Sequence, residues 1–399
     1  MTVSMDADVS QAARLTPASA RAGLRRWLAE RAQELDGFRH APHRDLAGDV
    51  ARLRPFHRLL WEHGWARLGW PQDAGGLGGA AALRGVVYDE VLDAGYDLPR
   101  GFEFLEIIAP TLLRFSPELG RVHVPLMLRG DVLLCQGFSE PEAGSDLAGL
   151  RTHAQRTQGG FVLRGQKTWI GNGHVADWCL LLARTGPPDS RHRGLTMFWM
   201  DMTAPGITTR PIVLANGRDE LAELFLDDVV VPETHVVGGI DQGWAVAMYL
   251  LQFERGTWAW QRQCWLRARL AGLVGAQSPA ATGGATEPAD AADAAGAVGE
   301  AWLELVSLRA LAHQALTALS EGRELDATTS IVKVMMSRAE QAVFEAGRAL
   351  TWPAVEMTGT GPDDLAGEWF HGLATSVYGG AVDVQRDIIA QQLLGMPRQ

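Results

Sequence analysis

Glu254 is the residue of this sequence best placed to move a proton. If the segment from Gly243 onward is helical, Leu250 and Leu251 lie one turn before it and Trp258 one turn after, so its carboxylate projects from an apolar stripe. Unpaired there, the ionised form is costly, and proton affinity climbs toward the range a general base needs. The alternative is structural: the carboxylate pairs with a basic side chain, such as an arginine on another helix. A second stretch, Gln136-Gly-Phe-Ser-Glu-Pro-Glu-Ala-Gly-Ser-Asp-Leu147, gathers hydroxyls, a Glu-Pro turn and a Gly-Ser pair into one loop. Gly144 lets a backbone approach a ligand closely, and Ser145 with neighbouring N–H groups can donate to anionic oxygens, which suits a phosphate. As an ordinary turn before a helix, the same residues would place Ser145 or Asp146 at an N-cap. A third stretch, Gly165-Gln-Lys-Thr-Trp-Ile-Gly-Asn-Gly173, sets Trp169 beside a tight turn, where the plainer reading is a half-buried tryptophan at a hairpin end.

These residues need elements to bring them within reach of one another. From Pro17 to about Cys135, Leu24, Trp27 and Leu28 and then Leu53, Phe56 and Leu60 recur at steps of three and four, the period of amphipathic helices. The break at Trp70-Pro-Gln-Asp-Ala-Gly-Gly-Leu-Gly-Gly79 is glycine-rich but lacks the Lys-Ser/Thr of a phosphate-binding P-loop, so it reads as a connection. Short β-type runs follow at Phe161–Ile170, Trp178–Arg184, Leu195–Met202, Thr208–Leu214 and Leu221–Leu226, separated by Gly, Pro, Asn and Asp. Their spacing predicts a compact antiparallel domain. Helical periodicity returns after Gly243, interrupted at Ala276–Val298 by a low-complexity stretch that reads as a connection between two helices. The expected domains are therefore helical over 1–135, β over 136–240 and helical over 241–399.

Composition limits the partners. A formal net charge of −11 over 399 residues, with no block of Lys and Arg, argues against nucleic acid or an anionic membrane surface. Cys135, Cys179 and Cys264 are odd in number, widely separated and without metal-site spacing, which predicts buried free thiols, a reducing compartment and no metal. The polar N-terminus carries Asp6 and Asp8, and no run of about 18 apolar residues occurs, so a cytoplasmic location is expected.

The Gln136–Leu147 loop closely resembles the signature of the acyl-CoA dehydrogenase family. Gly165–Gly173, Asp227-Asp-Val-Val-Val-Pro232, Gly243-Trp, Phe253-Glu-Arg-Gly256 and Val377-Tyr-Gly-Gly-Ala-Val-Asp-Val-Gln-Arg386 continue the family pattern in order, from about Leu24 to Arg398. The resemblance implies a mainly helical fold with an N-terminal helical domain, a middle antiparallel β-barrel and a C-terminal four-helix bundle. It implies FAD as cofactor and an acyl-CoA or acyl-carrier-protein thioester as substrate, oxidised to the α,β-enoyl thioester. By the same resemblance Phe138, Ser139, Gly144, Ser145, Trp169, Gly171 and Gln385 hold the flavin, while Ser145, Arg255 and Tyr378 meet the substrate. In one branch of the family a catalytic Glu follows the Tyr of the terminal motif, where this chain has Gly379. The long-chain and isovaleryl branch instead carries its base in the Glu-Arg pair, here Glu254-Arg255. The resemblance thus implies that Glu254 removes the α-proton, that the Gly379 N–H holds the thioester carbonyl, and that hydride passes from the β-carbon to flavin N5.

The departures from the pattern are specific. Gly171 stands where many members have Thr or Ser, Ala381 replaces a Thr, and an Arg with a nearby Phe-Gly has no clear counterpart beyond Arg267 and Arg269. Met357-Thr-Gly-Thr-Gly-Pro362 is the nearest match to a segment that meets a neighbouring subunit's FAD. These differences leave two alternatives beside the dehydrogenase: a non-catalytic or half-site subunit of a mixed tetramer, and a flavin oxidase or monooxygenase on the same fold. The expected assembly is a homotetramer, a homodimer or a mixed tetramer with a related chain, and an electron-transfer flavoprotein is a possible electron acceptor.

Overall fold

A computed structural model describes residues 14–41, 45–276, 291–351 and 365–397. The Met357–Pro362 segment and Arg398 lie outside the described residues, as do Asp6 and Asp8. The first helix, α1 (Pro17–Glu30), starts where Thr16 and Ser19 form a reciprocal capping box and Pro17 occupies the first turn, and it buries Ala20, Leu24, Trp27 and Leu28. Next comes α2 (Leu46–Glu62), capped by Asp45, whose carboxylate accepts the Gly48 N–H at 2.7 Å. Then follow α3 (Ala82–Asp93), α4 (Gly101–Phe115) and α5 (Pro117–Arg129). Asp89 on α3 is fully buried and takes Arg21 from α1 and Arg309 from the C-terminal half, tying the two helical layers together.

The middle of the chain forms one eight-stranded sheet: β1 (Leu134–Gly137), β2 (His153–Thr157), β3 (Gly160–Gly171), β4 (Trp178–Arg184), β5 (Leu195–Asp201), β6 (Ile207–Ile212), β7 (Leu221–Pro232) and β8 (Val236–Val237). The order is β6-β7-β3-β2-β4-β5-β8, with β1 on β4. The expectation of a purely antiparallel domain is corrected here. β1 runs parallel to β4, pairing Leu134 with Trp178 through Gly137 with Leu181, because the chain enters the sheet from the helical layer beside a strand reached only after β3. β7 is also twice as long as its apolar run suggests. After an irregularity at Asp227 and Asp228, Val229–Pro232 rejoin the ladder opposite Gly160–Leu163 of β3. Side chains alternate across β4: Leu180 and Leu182 join the core shared with the helices, while Cys179 and Leu181 join a second core with Phe161, Leu163, Phe198 and Leu224. The two faces of the sheet are thereby both covered.

The C-terminal half contains α6 (Gly243–Ala276), α7 (Ala291–Ser320), α8 (Thr328–Thr351), α9 (Leu365–Ala374) and α10 (Val382–Ile388). Part of the low-complexity stretch is helical, contrary to the expectation of a connection through Val298. Ala291–Val298 forms the first two turns of α7, where alanine favours helix and Ala294, Ala297 and Val298 pack on the core. All three cysteines are buried and free. Among the described residues no helix is long and apolar enough to cross a membrane.

Candidate active site

The Gln136–Leu147 loop is fixed from beneath by a buried ion pair. Lys167 on β3 is fully buried and donates to Glu140 Oε1 at 2.8 Å and to the Phe138 carbonyl at 3.0 Å. Glu140 also accepts the N–H groups of Arg151 at 2.6 Å and Thr152 at 2.9 Å. Burial opposes the ionised Glu140, but the Lys167 ammonium and these donors outweigh it and hold the carboxyl below its usual range. Removing one partner strands the other charge. Glu140→Ala is therefore expected to cost about 3–5 kcal/mol in denaturant unfolding at neutral pH. Because the folded-state proton affinity of Glu140 is depressed, the stability it contributes is present above the ordinary carboxylate range. It is lost as pH falls through the folded value, so variant and wild type should converge in acid.

Directly above that pair, β3 bulges. The register with β7 shifts between Lys167 and Ile170, and the Thr168 N–H leaves the ladder to donate to the Ser139 carbonyl at 3.0 Å. Trp169, at the crest, has φ of 59° and remains 59% exposed. A bulky residue in the left-handed region with an exposed ring is a strained feature of the kind that collects at binding sites. Phe138 and Ser139 are thus brought beside Trp169. Gly171, two residues on, faces α4: a Cβ there would stand 3.2 Å from Phe104 Cζ, so the Phe104 ring fills the space a Thr or Ser would take. Ser145 and Gly144 lie farther out on the loop, both exposed. Gly144 has ordinary φ and open space around it, so nothing within the chain requires a glycine there. Neither Ser145 nor Asp146 makes a side-chain N-cap. Asp146 pairs instead with Arg191, at 2.6 and 3.2 Å.

Glu254 sits on α6 with Leu250 buried one turn before it and Trp258 half-buried one turn after. Among the described residues it makes no ion pair. The Gln136 amide on β1 donates to its Oε2 at 3.5 Å, at the edge of a hydrogen bond. Glu254 is itself half-buried, and the loss of water around it holds the carboxyl above the usual range, against the pull of Arg255, Lys333 and that Gln136 contact. The Gly379 turn comes to the same point. Gly379 and Gly380 have φ of 62° and 97°, and a Cβ on Gly379 would lie 2.9 Å from Glu254 Oε1. The space where a side chain at position 379 would begin is the space the Glu254 carboxylate occupies. The N–H groups of Gly379 and Gly380 donate to no acceptor among the described residues. Tyr378 packs edge-on to Trp258 with centroids 6.4 Å apart.

Models of the acyl-CoA dehydrogenase middle domain match residues 135–229 and of its C-terminal domain residues 241–394. Over 95% of the chain and 97% of the relative, the sequence is 33% identical to acyl-CoA dehydrogenase IpdE1 of Mycobacterium tuberculosis. The chain belongs to the acyl-CoA dehydrogenase family. Among solved structures it is similar to the Tcur3481-Tcur3483 steroid ACAD, at TM-score 0.76 and 25% identity over 100% of both chains. It is also similar to the ChsE4-ChsE5 complex from Mycobacterium tuberculosis, at TM-score 0.74 and 26% identity over 100% of both chains. Members of this family are FAD-dependent flavoproteins that oxidise CH–CH bonds, and the chain is an oxidoreductase of that kind, with FAD as its cofactor.

The residues present fit a flavin acyl-CoA dehydrogenase. Gln385 on α10 is fully buried, yet neither its amide nitrogen nor its amide oxygen has a partner, and Arg255 Nε is likewise buried and unmatched. Such atoms are costly unless a ligand meets them. They are neighbours: a Cβ on Gly380 would stand 2.5 Å from Gln385 Nε2 and 3.3 Å from an Arg255 terminal nitrogen. Gln385→Met, which keeps the volume and removes the amide, is expected to leave the melting temperature of the apoprotein unchanged or higher while weakening FAD retention. Calorimetry of apoprotein and a fluorescence titration with FAD measure the two effects separately. Arg267 and Arg269 are engaged within the chain, with Asp93 and Glu368, each at 2.6 Å.

Sequence reasoning passed over Gln136, Phe104 and Lys333. Lys333 is buried on α8 beside the Gly379 turn, and its signal was present: Lys333, Ser337 and Glu340 share one buried helix face otherwise made of Val332, Met336, Ala339 and Val343. Gln136 had no such signal, because a polar residue in a short strand is ordinary.

Proposed function

We propose that the chain dehydrogenates an acyl thioester at the α and β carbons, with Glu254 as the base. What carries the reading is the convergence of Glu254 Oε1 on the point from which a side chain at position 379 would project. One carboxylate, supported from α6, has taken the space available to a carboxylate from the terminal motif. An α-C–H is a weak acid, so its removal needs both a strong base and a partner for the charge that gathers on the carbonyl oxygen. Burial strengthens Glu254 as a base, and the Gly379 N–H, which has no acceptor among the described residues, is assigned as the donor to that oxygen. FAD, when bound, supplies the two-electron acceptor for the β-hydrogen. Gln385, Phe138, Ser139, Gly171 and the Trp169 crest are the groups that would hold it, and Arg255, Tyr378 and Trp258 would line the substrate side. Ser145, farther out on its loop, is assigned to the phosphates of cofactor or substrate.

Purified holoenzyme should be yellow and lose that colour anaerobically on mixing with a suitable thioester. A panel of CoA and carrier-protein thioesters, none of which bleaches the flavin, would overturn the reading.

A second reading is favoured by the exposed apolar side chains on α7 and α9: Trp302, Leu303, Val306, Phe370 and Leu373. The chain would then work as one half of a mixed assembly, as the paired names of both solved relatives suggest for those proteins. Native mass spectrometry of the chain alone and co-expressed with a related chain tests this. A homo-oligomer with one FAD per chain and full turnover would exclude the half-site role.

A further inference from the structure

Lys333 has no part in the chemistry so far, although its position is costly. Only 1% of the residue is exposed, and among the described residues no carboxylate forms an ion pair with it. Its neighbour on the same helix face, Glu340, is taken by Arg262 at 2.9 Å. Lys333 Nζ instead donates to the Thr375 carbonyl at 2.7 Å, which also accepts Ser337 Oγ at 2.9 Å. The ammonium lies over the Tyr378 ring, 4.7 Å from its centre. A Cβ on Gly379 would stand 3.7 Å from Lys333 Nζ and 2.9 Å from Glu254 Oε1, so ammonium and carboxylate flank the same point of the turn.

We propose that Lys333 is a positioning residue for proton removal: it pins the turn from Thr375 to Gly380 and holds a fixed positive charge across that turn from Glu254. The proposal rests on the reading of Glu254 as the base. The pinning follows from the Thr375 bond and the Tyr378 ring contact, which hold the turn just before Gly379, the residue whose Cβ position abuts Glu254 Oε1. The charge acts through space, favouring the ionised carboxylate that burial alone would suppress. Glu254 faces Arg255 on its own helix, Gln136 from β1, Glu103 from α4 and Lys333 from α8, while Lys333 faces Glu340 on its own helix and Glu254, Arg255 and Arg262 on α6. Burial lowers Lys333 to about 8, with Glu340 and Glu254 opposing, so the charge is present at neutral pH.

The test compares holoenzymes of wild type, Lys333→Met, Lys333→Arg and Glu254→Gln in anaerobic flavin bleaching across pH. Without the ammonium, Glu254 ionises at higher pH, so the acid limb for Lys333→Met should move up by about one unit. On that limb its rate should fall roughly tenfold below wild type, and the two should approach each other at high pH. Lys333→Arg, which keeps the charge, should return the limb to its wild-type position even if its melting temperature drops. A merely structural lysine would change stability and flavin content without moving the limb. If Lys333→Met does not yield folded flavoprotein, Lys333→Gln, which retains a donor toward Thr375 but no charge, is read in its place. A limb that superimposes on wild type in the uncharged variant, with Glu254→Gln inactive, overturns the proposal and leaves the base assigned. Normal bleaching by Glu254→Gln removes the base reading itself.

Discussion

Glu254→Gln is expected to lower the rate of anaerobic flavin bleaching by on the order of 10²–10⁴-fold, with FAD content and thioester binding close to wild type. The amide keeps the shape of the carboxyl and can still meet Gln136, but it cannot accept the α-proton. In the wild type, burial raises the proton affinity of Glu254, so the bleaching rate should climb with pH through a midpoint above the usual carboxylate range. The same shift makes a claim about stability. A carboxyl whose folded-state proton affinity is raised contributes fully while protonated and loses that contribution as pH rises through the folded value. Glu254→Gln should therefore melt above wild type at neutral and alkaline pH, and the difference should vanish in acid. A variant both less active and more stable marks a group whose burial serves chemistry at the expense of folding. Lower stability at every pH would mean instead that Glu254 is a structural residue.

Gly379→Ala is expected to lower turnover about 10²-fold while leaving the protein yellow. The residue has φ of 62°, where a Cβ costs about 1–2 kcal/mol, and that Cβ would stand 2.9 Å from Glu254 Oε1. Either the carboxylate or the turn must shift, and the turn also carries the N–H assigned to the thioester carbonyl. Misplacement by a fraction of an ångström is enough to separate base and substrate from productive geometry. The variant should show wild-type FAD content by absorbance and a lower turnover, with the loss in kcat exceeding any change in KM. The converse exchange is sharper. If positions 254 and 379 support one carboxylate at one point, the double variant Glu254→Gly, Gly379→Glu should be more active than Glu254→Gly alone, despite strain at position 379. Equal inactivity of the two would show that the positions do not reach the same proton.

Much of this was legible before any tertiary structure. Glu254 stood out because a 3.6-residue period makes a lone carboxylate on an apolar face visible in one dimension. The Trp178–Arg184 strand kept its sequence-read bounds, and the other four runs differ at their ends, since alternation and turn residues are local signals. The second half of β7 was not visible: the apolar run read from the sequence ended at Leu226, yet pairing of Val229–Pro232 with β3 carries the strand to Pro232. At Gly171 the sequence showed a missing hydroxyl but not the Phe104 ring that fills its space.

At the active site the division is similar. The sequence by itself determined the motif order, the alternation of helical and sheet regions, and the candidacy of Glu254 as the base, given glycine at position 379. Only the tertiary structure decided what surrounds that carboxylate. Gln136 comes from β1, Lys333 from α8 and Gly379 from the turn before α10, elements far apart along the chain. The physical reason is range: periodicity and turn chemistry act between residues a few positions apart, whereas proton affinity depends on burial and on charges that long-range packing alone brings together.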